Sequence, residues 1–282
     1  MADRQDVIHF SHPVSFREDQ MMKIRNNASG LEKKRKATFL VRSASGEVVE
    51  RKMEVATEHI LSVSVNGIPA FRLSCTPGDL AELVLGRLYT ERLIRSLTEV
   101  EDLFICGKGE IAEVTLSDKA AFSPAEKDIP TCCTGNESFL SGREDAGLRH
   151  LPEKEIDPDR IFRLSESFRQ DSELHRSTGG THSCYILNGK GEIKSFEDVG
   201  RHNALDKAVG HMLLSGYVPE DCILFTTGRV AADLIVKAIA SGIPILVSKA
   251  VPTDEAIRFA DEYGMKLIVR AWPDSCWEAV SP

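Results

Sequence analysis

No apolar run in this sequence approaches the roughly 18 residues a membrane-spanning helix needs. The opening Met1-Ala2-Asp3-Arg4-Gln5-Asp6 offers no hydrophobic leader. A soluble protein that stays in the cytoplasm, away from membranes, is the expectation. Positive charge is not in excess either: 35 basic against 43 acidic residues leave a net charge of −8. That balance argues against a dedicated nucleic-acid binder. Aromatic residues make up only 6% of the chain. There is no Gly-x-Ser-x-Gly elbow, no Walker-type phosphate loop and no Cys-x-x-Cys pair. Seven cysteines, odd in number and scattered, exclude a secreted disulfide framework.

What is present is enough for a packed protein: 42% hydrophobic and 28% charged residues, in a length that at about 150 residues per domain gives two domains or one large one. Residues 1–36 form a polar N-terminal segment ending in the charge run Glu32-Lys33-Lys34-Arg35-Lys36, expected to be a solvated lead-in. Residues 37–116 alternate apolar and polar positions around an Asn66-Gly67 turn, the strongest short hairpin signal. A helix opening at Pro77-Gly78-Asp79 carries Leu80, Leu83, Val84 and Leu88 at the 3.6 period. This region reads as a small α+β domain.

Residues 117–152 have no periodicity and are rich in Pro, Gly, Ser and Asp, which predicts a mobile loop or linker. The adjacent Cys132 and Cys133 lie in it. Cys75, Cys106, Cys184, Cys222 and Cys276 sit singly and read as small buried hydrophobes. Residues 153–282 alternate helices with short, near-continuous apolar strands such as Cys222–Thr226 and Ile243–Val247. That pattern implies parallel strands covered on both faces, an α/β domain opened by an antiparallel hairpin at Ser183–Phe196.

Two strand-to-helix junctions share one design. Glu197-Asp198-Val199-Gly200-Arg201-His202-Asn203 and Thr226-Thr227-Gly228-Arg229 each place glycine and then arginine where a helix is expected to start. Free N–H groups, the positive end of the helix dipole and a guanidinium fork together suit a phosphate; two solvated arginines are the alternative. Thr178-Gly179-Gly180-Thr181-His182 is a glycine-rich lead into a strand. His182 and Cys184 have no third ligand spaced with them, so a structural or substrate-orienting histidine is favoured over a metal ligand.

These segments, with Val65-Asn66-Gly67-Ile68-Pro69 and Cys75-Thr76-Pro77-Gly78-Asp79-Leu80, resemble the formate dehydrogenase accessory protein family from about Thr38 to about Arg270. The Glu-Asp-Val-Gly-Arg-His run is the most specific of them. The resemblance implies a sulfurtransferase that takes sulfur from a cysteine desulfurase as a cysteine persulfide. It would pass that sulfur to the molybdenum (or tungsten) bis-guanine-dinucleotide cofactor of an apo formate dehydrogenase. It also implies a C-terminal three-layer αβα domain resembling the cytidine deaminase fold. His202 and Gly228-Arg229 would fall where deaminases hold zinc, but with no Pro-Cys-x-x-Cys the resemblance implies no zinc and no other metal ligands.

The family's persulfide loop, Thr-Gly-Cys-Gly-x-Cys-Gly, corresponds to Thr131-Cys132-Cys133-Thr134-Gly135. Matching the threonine places Cys133 on the carrier cysteine, and the second family cysteine falls on Asn136. The guanine end of the cofactor would be met after the last strand, where Arg270, Trp272 and Asp274 supply a cation, a stacking ring and a carboxylate. His182, Arg201, His202, Gly228 and Arg229 complete the expected binding set. A cofactor-binding chaperone without sulfur transfer is the alternative function, and a homodimer is left open.

Overall fold

The computed structural model describes residues 22–118, 147–171 and 173–280. In chain order the first part holds β1 (Lys23–Asn26), β2 (Lys34–Arg42), β3 (Val48–Ala56), β4 (His59–Val65), β5 (Ile68–Cys75), α1 (Leu80–Thr90), β6 (Val100–Ile105) and β7 (Ile111–Leu116). The second part holds α2 (Pro158–Asp171), α3 (Glu173–Thr178), β8 (His182–Leu187), β9 (Ile193–Asp198), α4 (Arg201–Leu214), β10 (Ile223–Thr226) and α5 (Ala232–Ala240). It closes with β11 (Ile245–Ser248), α6 (Asp254–Glu262), β12 (Lys266–Trp272) and β13 (Ser275–Glu278). Among the described residues no helix is long and apolar enough to cross a membrane.

The fold is mixed α/β, with two main sheets. The first has the order β1-β6-β7-β4-β5 and the second β13-β12-β11-β10-β8-β9, while β2 and β3 form a separate hairpin. Asn66 (φ 52°) and Gly67 (φ 78°) adopt the positive φ that joins β4 to β5 in a two-residue turn. In the second sheet β10, β11 and β12 are parallel, and β8, β9 and β13 run antiparallel to their neighbours. Alternate residues of its strands feed two separate cores. Ile186, Leu224, Leu246 and Leu267 pack with α4, α5 and α6, whereas Tyr185, Phe225, Val247 and Ile268 pack with Ile161 and Leu164 of α2. Every residue of β10 and β11 is buried, which is why both strands read as unbroken apolar runs.

Several elements depart from the sequence reading. The polar lead-in contributes the edge strand β1, paired parallel with β6, and Lys34, Arg35 and Lys36 belong to β2. The short α3 follows α2 and precedes β8. Beyond Arg270 the last strand continues to Trp272, then turns through Pro273-Asp274 into β13. The second Gly-Arg pair does not start a helix: α5 begins only at Ala232. The reason lies partly in a distant segment. Thr226 Oγ1 accepts the Gly228 N–H at 3.1 Å, and Val230 makes a parallel bridge to Pro252, so the chain stays extended for three residues more.

The two sheets meet through α1 and α4. Gly86 and Gly210 lie at the crossing, where an added Cβ would overlap the backbone carbonyls of Asp206 and Glu82, respectively. Charges fill the space beside them. Lys237 Nζ contacts both carboxylate oxygens of Asp206 at 2.7 and 2.6 Å and Glu91 at 3.3 Å. Arg87 approaches Glu91 at 3.7 Å and Asp206 at 3.8 Å, and the Thr90 hydroxyl donates to Asp206 at 2.7 Å. All five side chains are buried. A second set ties the loop after β5 to α4: Lys207 pairs with Asp198 at 2.7 Å and donates to the Thr76 carbonyl. Asp198 in turn accepts from Thr76 N and Asn203 Nδ2.

Candidate functional site

In open α/β sheets ligands collect beyond the carboxyl ends of parallel strands. An open hollow of about 370 Å³ lies there, lined by His175, Gly179, Gly180, Thr181, His182, Thr227 and Lys249. Its floor is knitted by the loops that leave the strands. Lys249 N donates to the Thr226 carbonyl and Arg270 N to that of Ala250, while the Ser248 hydroxyl donates to the Gly228 carbonyl at 2.9 Å. Ser183 and Thr227 exchange two further bonds. The wall is the turn from α3 into β8, where Gly179 takes φ 66° and the His175 ring donates from Nδ1 to the Thr181 carbonyl at 2.6 Å.

Lys249 is the cation on this hollow. Its Nζ sits 4.9 Å from the centre of the Phe168 ring and 5.3 Å from that of Trp272, so two aromatic faces hold the ammonium without neutralising it. Trp272 is thereby joined to the site, with 43% of its surface still exposed. His182 opens β8 at the edge of the hollow. Its burial, then Arg201 and the neighbouring imidazoles of His175 and His202, hold its protonation below the ordinary histidine range.

The first Gly-Arg junction stands as expected, with Gly200 capping α4 and Arg201 as its first residue. The Arg201 side chain turns inward. Gly228 packs on its stem, where a Cβ would meet Arg201 Cβ at 3.0 Å. Nη2 lies 3.6 Å from Asp233, whose carboxylate is also 3.2 Å from His202 Nε2. The structure thus brings His182, Arg201, His202 and Gly228 together, with Asp233 of α5 among them. Arg229 is exposed. Arg270 is also exposed and stacks over Trp277 at 4.5 Å, while Asp274 sits in the exposed β12–β13 turn beside Ser275. Cys132 and Cys133 lie outside the described residues.

His175, Asp233 and Lys249 are absent from the sequence reading. Lys249 had a usable signal, since it directly follows a predicted parallel strand. Asp233 and His175 carried none. Of the described thiols, burial pushes Cys75 and Cys222 up to about 12 and raises Cys184 and Cys276. Cys106 differs: burial acts upward, but the backbone N–H groups of Ile111, Glu110, Lys108 and Gly109 outweigh it and lower the thiol. Cys106 and Cys276 are only partly buried, unlike the buried small hydrophobes expected at both positions.

A three-layer α/β domain with a cationic hollow at its strand ends, locked to a second sheet by buried charges, defines the class of protein. The chain belongs to the FdhD/NarQ family, whose model matches residues 56–276. It is similar to the protein named sulfur carrier protein FdhD from Listeria innocua, at 31% identity over 233 residues, covering 80% of this chain and 89% of that protein. The protein of the same name from Geobacillus kaustophilus is 30% identical over 244 residues, covering 85% and 92%. A crystal structure from Desulfotalea psychrophila, assigned as a formate dehydrogenase accessory protein, superposes with a TM-score of 0.71 at 23% identity. It covers 89% of this chain and 98% of its own, and at that identity it shows the common fold.

Proposed function

We propose that this protein is a cytoplasmic sulfur carrier for formate dehydrogenase maturation, a sulfurtransferase acting through Cys133. Cys133 takes sulfur from a cysteine desulfurase as a persulfide and delivers it to the molybdenum or tungsten bis-guanine-dinucleotide cofactor, the acceptor substrate, before that cofactor serves the apo formate dehydrogenase. The observation that carries the reading is membership in a family whose relatives are named sulfur carriers. The geometry supports it from the acceptor side. Lys249 at the hollow, with Arg201, Arg229 and Arg270 around the same strand ends, suits a ligand bearing pyrophosphates, and Trp272 offers a ring beside them. His182 lines the wall, and His202 and Gly228 are buried behind it beside Arg201.

A sulfur carrier needs an accessible thiolate, and three of the described cysteines are buried with raised thiols. Mass spectrometry after incubation with a cysteine desulfurase and cysteine tests the assignment. A gain of one sulfur that disappears in Cys133→Ala is expected. Retention of the sulfur in Cys133→Ala, with its loss in Cys106→Ala or Cys132→Ala, moves the carrier elsewhere. No gain in the unsubstituted protein leaves a chaperone that binds the cofactor without sulfur chemistry.

A further inference from the structure

Two imidazoles line the hollow, and their surroundings make them unequal. His175 belongs to α3, which is fixed from below: the N–H groups of Leu174 and His175 donate to the two oxygens of Glu197 at 3.0 and 2.8 Å. The ring is fixed as well. Its Nδ1 lies 2.6 Å from the Thr181 carbonyl oxygen, an atom that can only accept, so Nδ1 carries the hydrogen. In the neutral ring Nε2 is then a bare acceptor, and among the described residues it has no hydrogen-bond partner. The ring cannot exchange tautomers without setting a lone pair against the Thr181 carbonyl.

An anion is a poor neighbour for such a nitrogen. Its oxygens bring only lone pairs, so contact requires that Nε2 first gain a proton, after which the imidazolium donates a charge-assisted bond. We propose that His175 is the proton-accepting residue of the hollow: an anion seated beside Lys249 is held by Nε2–H, and its binding takes up one proton at that nitrogen. The inference rests on the anion-binding reading above. The charged and titratable groups that face His175 are Glu197 from β9, His182 from β8 and Lys249 after β11. On the outer side of α3, where Lys34 reaches Ser177, stand Lys34 of β2 and Glu54 of β3, paired at 2.7 Å. Arg201 and His202 act on His182 from α4. His182 is half-buried beside a guanidinium, which holds its own protonation below the ordinary histidine range.

The probe is a guanine dinucleotide pyrophosphate, whose phosphates keep constant charge around neutral pH, so any proton taken up belongs to the protein. Titration calorimetry of the full chain in buffers of different ionisation enthalpy counts that proton. Net uptake of up to one proton per site is expected, with affinity falling as pH rises by at most about tenfold per pH unit. His175→Gln keeps an amide donor near Nε2, and should bind with little uptake and a flat pH profile. His182→Gln should keep the uptake. Binding by the unsubstituted protein without uptake, or uptake that survives in His175→Gln, overturns the inference while leaving the anion site intact. Absence of any binding overturns the anion reading itself. Should His175→Gln fail to fold, ring nitrogen resonances of the unsubstituted complex decide: both His175 nitrogens protonated is the expected result, and a neutral ring overturns it.

Discussion

The stretch from Glu197 to Lys207 serves two regions that use charge in opposite ways. At the joint between the sheets, Asp198, Asp206 and Lys207 are buried and meet opposite charges or hydrogen-bond donors between 2.6 and 3.8 Å. At the hollow, Lys249 has, among the described residues, only aromatic faces within reach, and the lining histidines are half-buried. Buried charges that satisfy one another fix how two bodies dock, and breaking one pair strands its partner in low dielectric. A cation held by rings keeps its field for something that enters from solvent. Arg201 stands between the two regimes, rooted in Asp233 but near enough to His182, which lines the hollow, to act on it.

The sharpest test of the joint is Lys237→Ala, which leaves Asp206 and Glu91 short of their nearest cation. Unfolding in denaturant should show a loss of about 3–5 kcal/mol. An unchanged midpoint would mean that the joint's charges are better solvated than their burial indicates. Arg201→Ala should register in both regions. Loss of the Asp233 pair costs about 2 kcal/mol of stability, less than for a fully enclosed pair, and binding of guanosine diphosphate weakens as well. If only one of the two quantities moves, Arg201 belongs wholly to one side of the comparison.

Lys249→Ala should act on ligand alone. A lost charge-assisted bond of roughly 1.5–3 kcal/mol weakens guanosine diphosphate about tenfold to a hundredfold in calorimetry. Stability should fall by no more than about 1 kcal/mol, the scale of an exposed cation–π contact. The smallest effect is expected from pH. Because the folded state holds His182 below its ordinary protonation range, the unfolded chain binds more protons there. Stability is therefore complete above the ordinary histidine range and declines as pH falls through it. His211 is lowered too, by burial and then Lys194, so only the difference between unsubstituted protein and His182→Gln isolates this part. Identical pH profiles for the two would show that His182 is as easily protonated folded as unfolded.

Much of the fold is legible in local pattern. Asn66-Gly67 specifies its turn because both positions require positive φ. The apolar runs of β10 and β11 specify burial on both faces. What escaped depends on partners distant in the chain. Lys23–Asn26 is too short and polar to read as a strand, and exists through its pairing with β6. The start of α5 was misplaced because Thr226 and Pro252 keep the preceding residues extended. Asp206, Lys207 and Lys237 sit within helices whose apolar period looks ordinary, and only the facing helices, with Asp198 and the loop after β5 for Lys207, turn them into buried networks.

The candidate site divides the same way. Glycines before arginine, the Thr-Gly-Gly-Thr-His lead-in and the position of Lys249 after a strand are local features, fixed by backbone conformation and by where a parallel strand must end. Whether a given arginine reaches a ligand or a buried aspartate is not local. Arg201 and Arg229 follow the same dipeptide pattern, yet one turns inward over Gly228 to Asp233 and the other lies on the surface. That choice was made by packing between helices, because the energy of a charge depends on the dielectric and the partners that only the assembled layers supply.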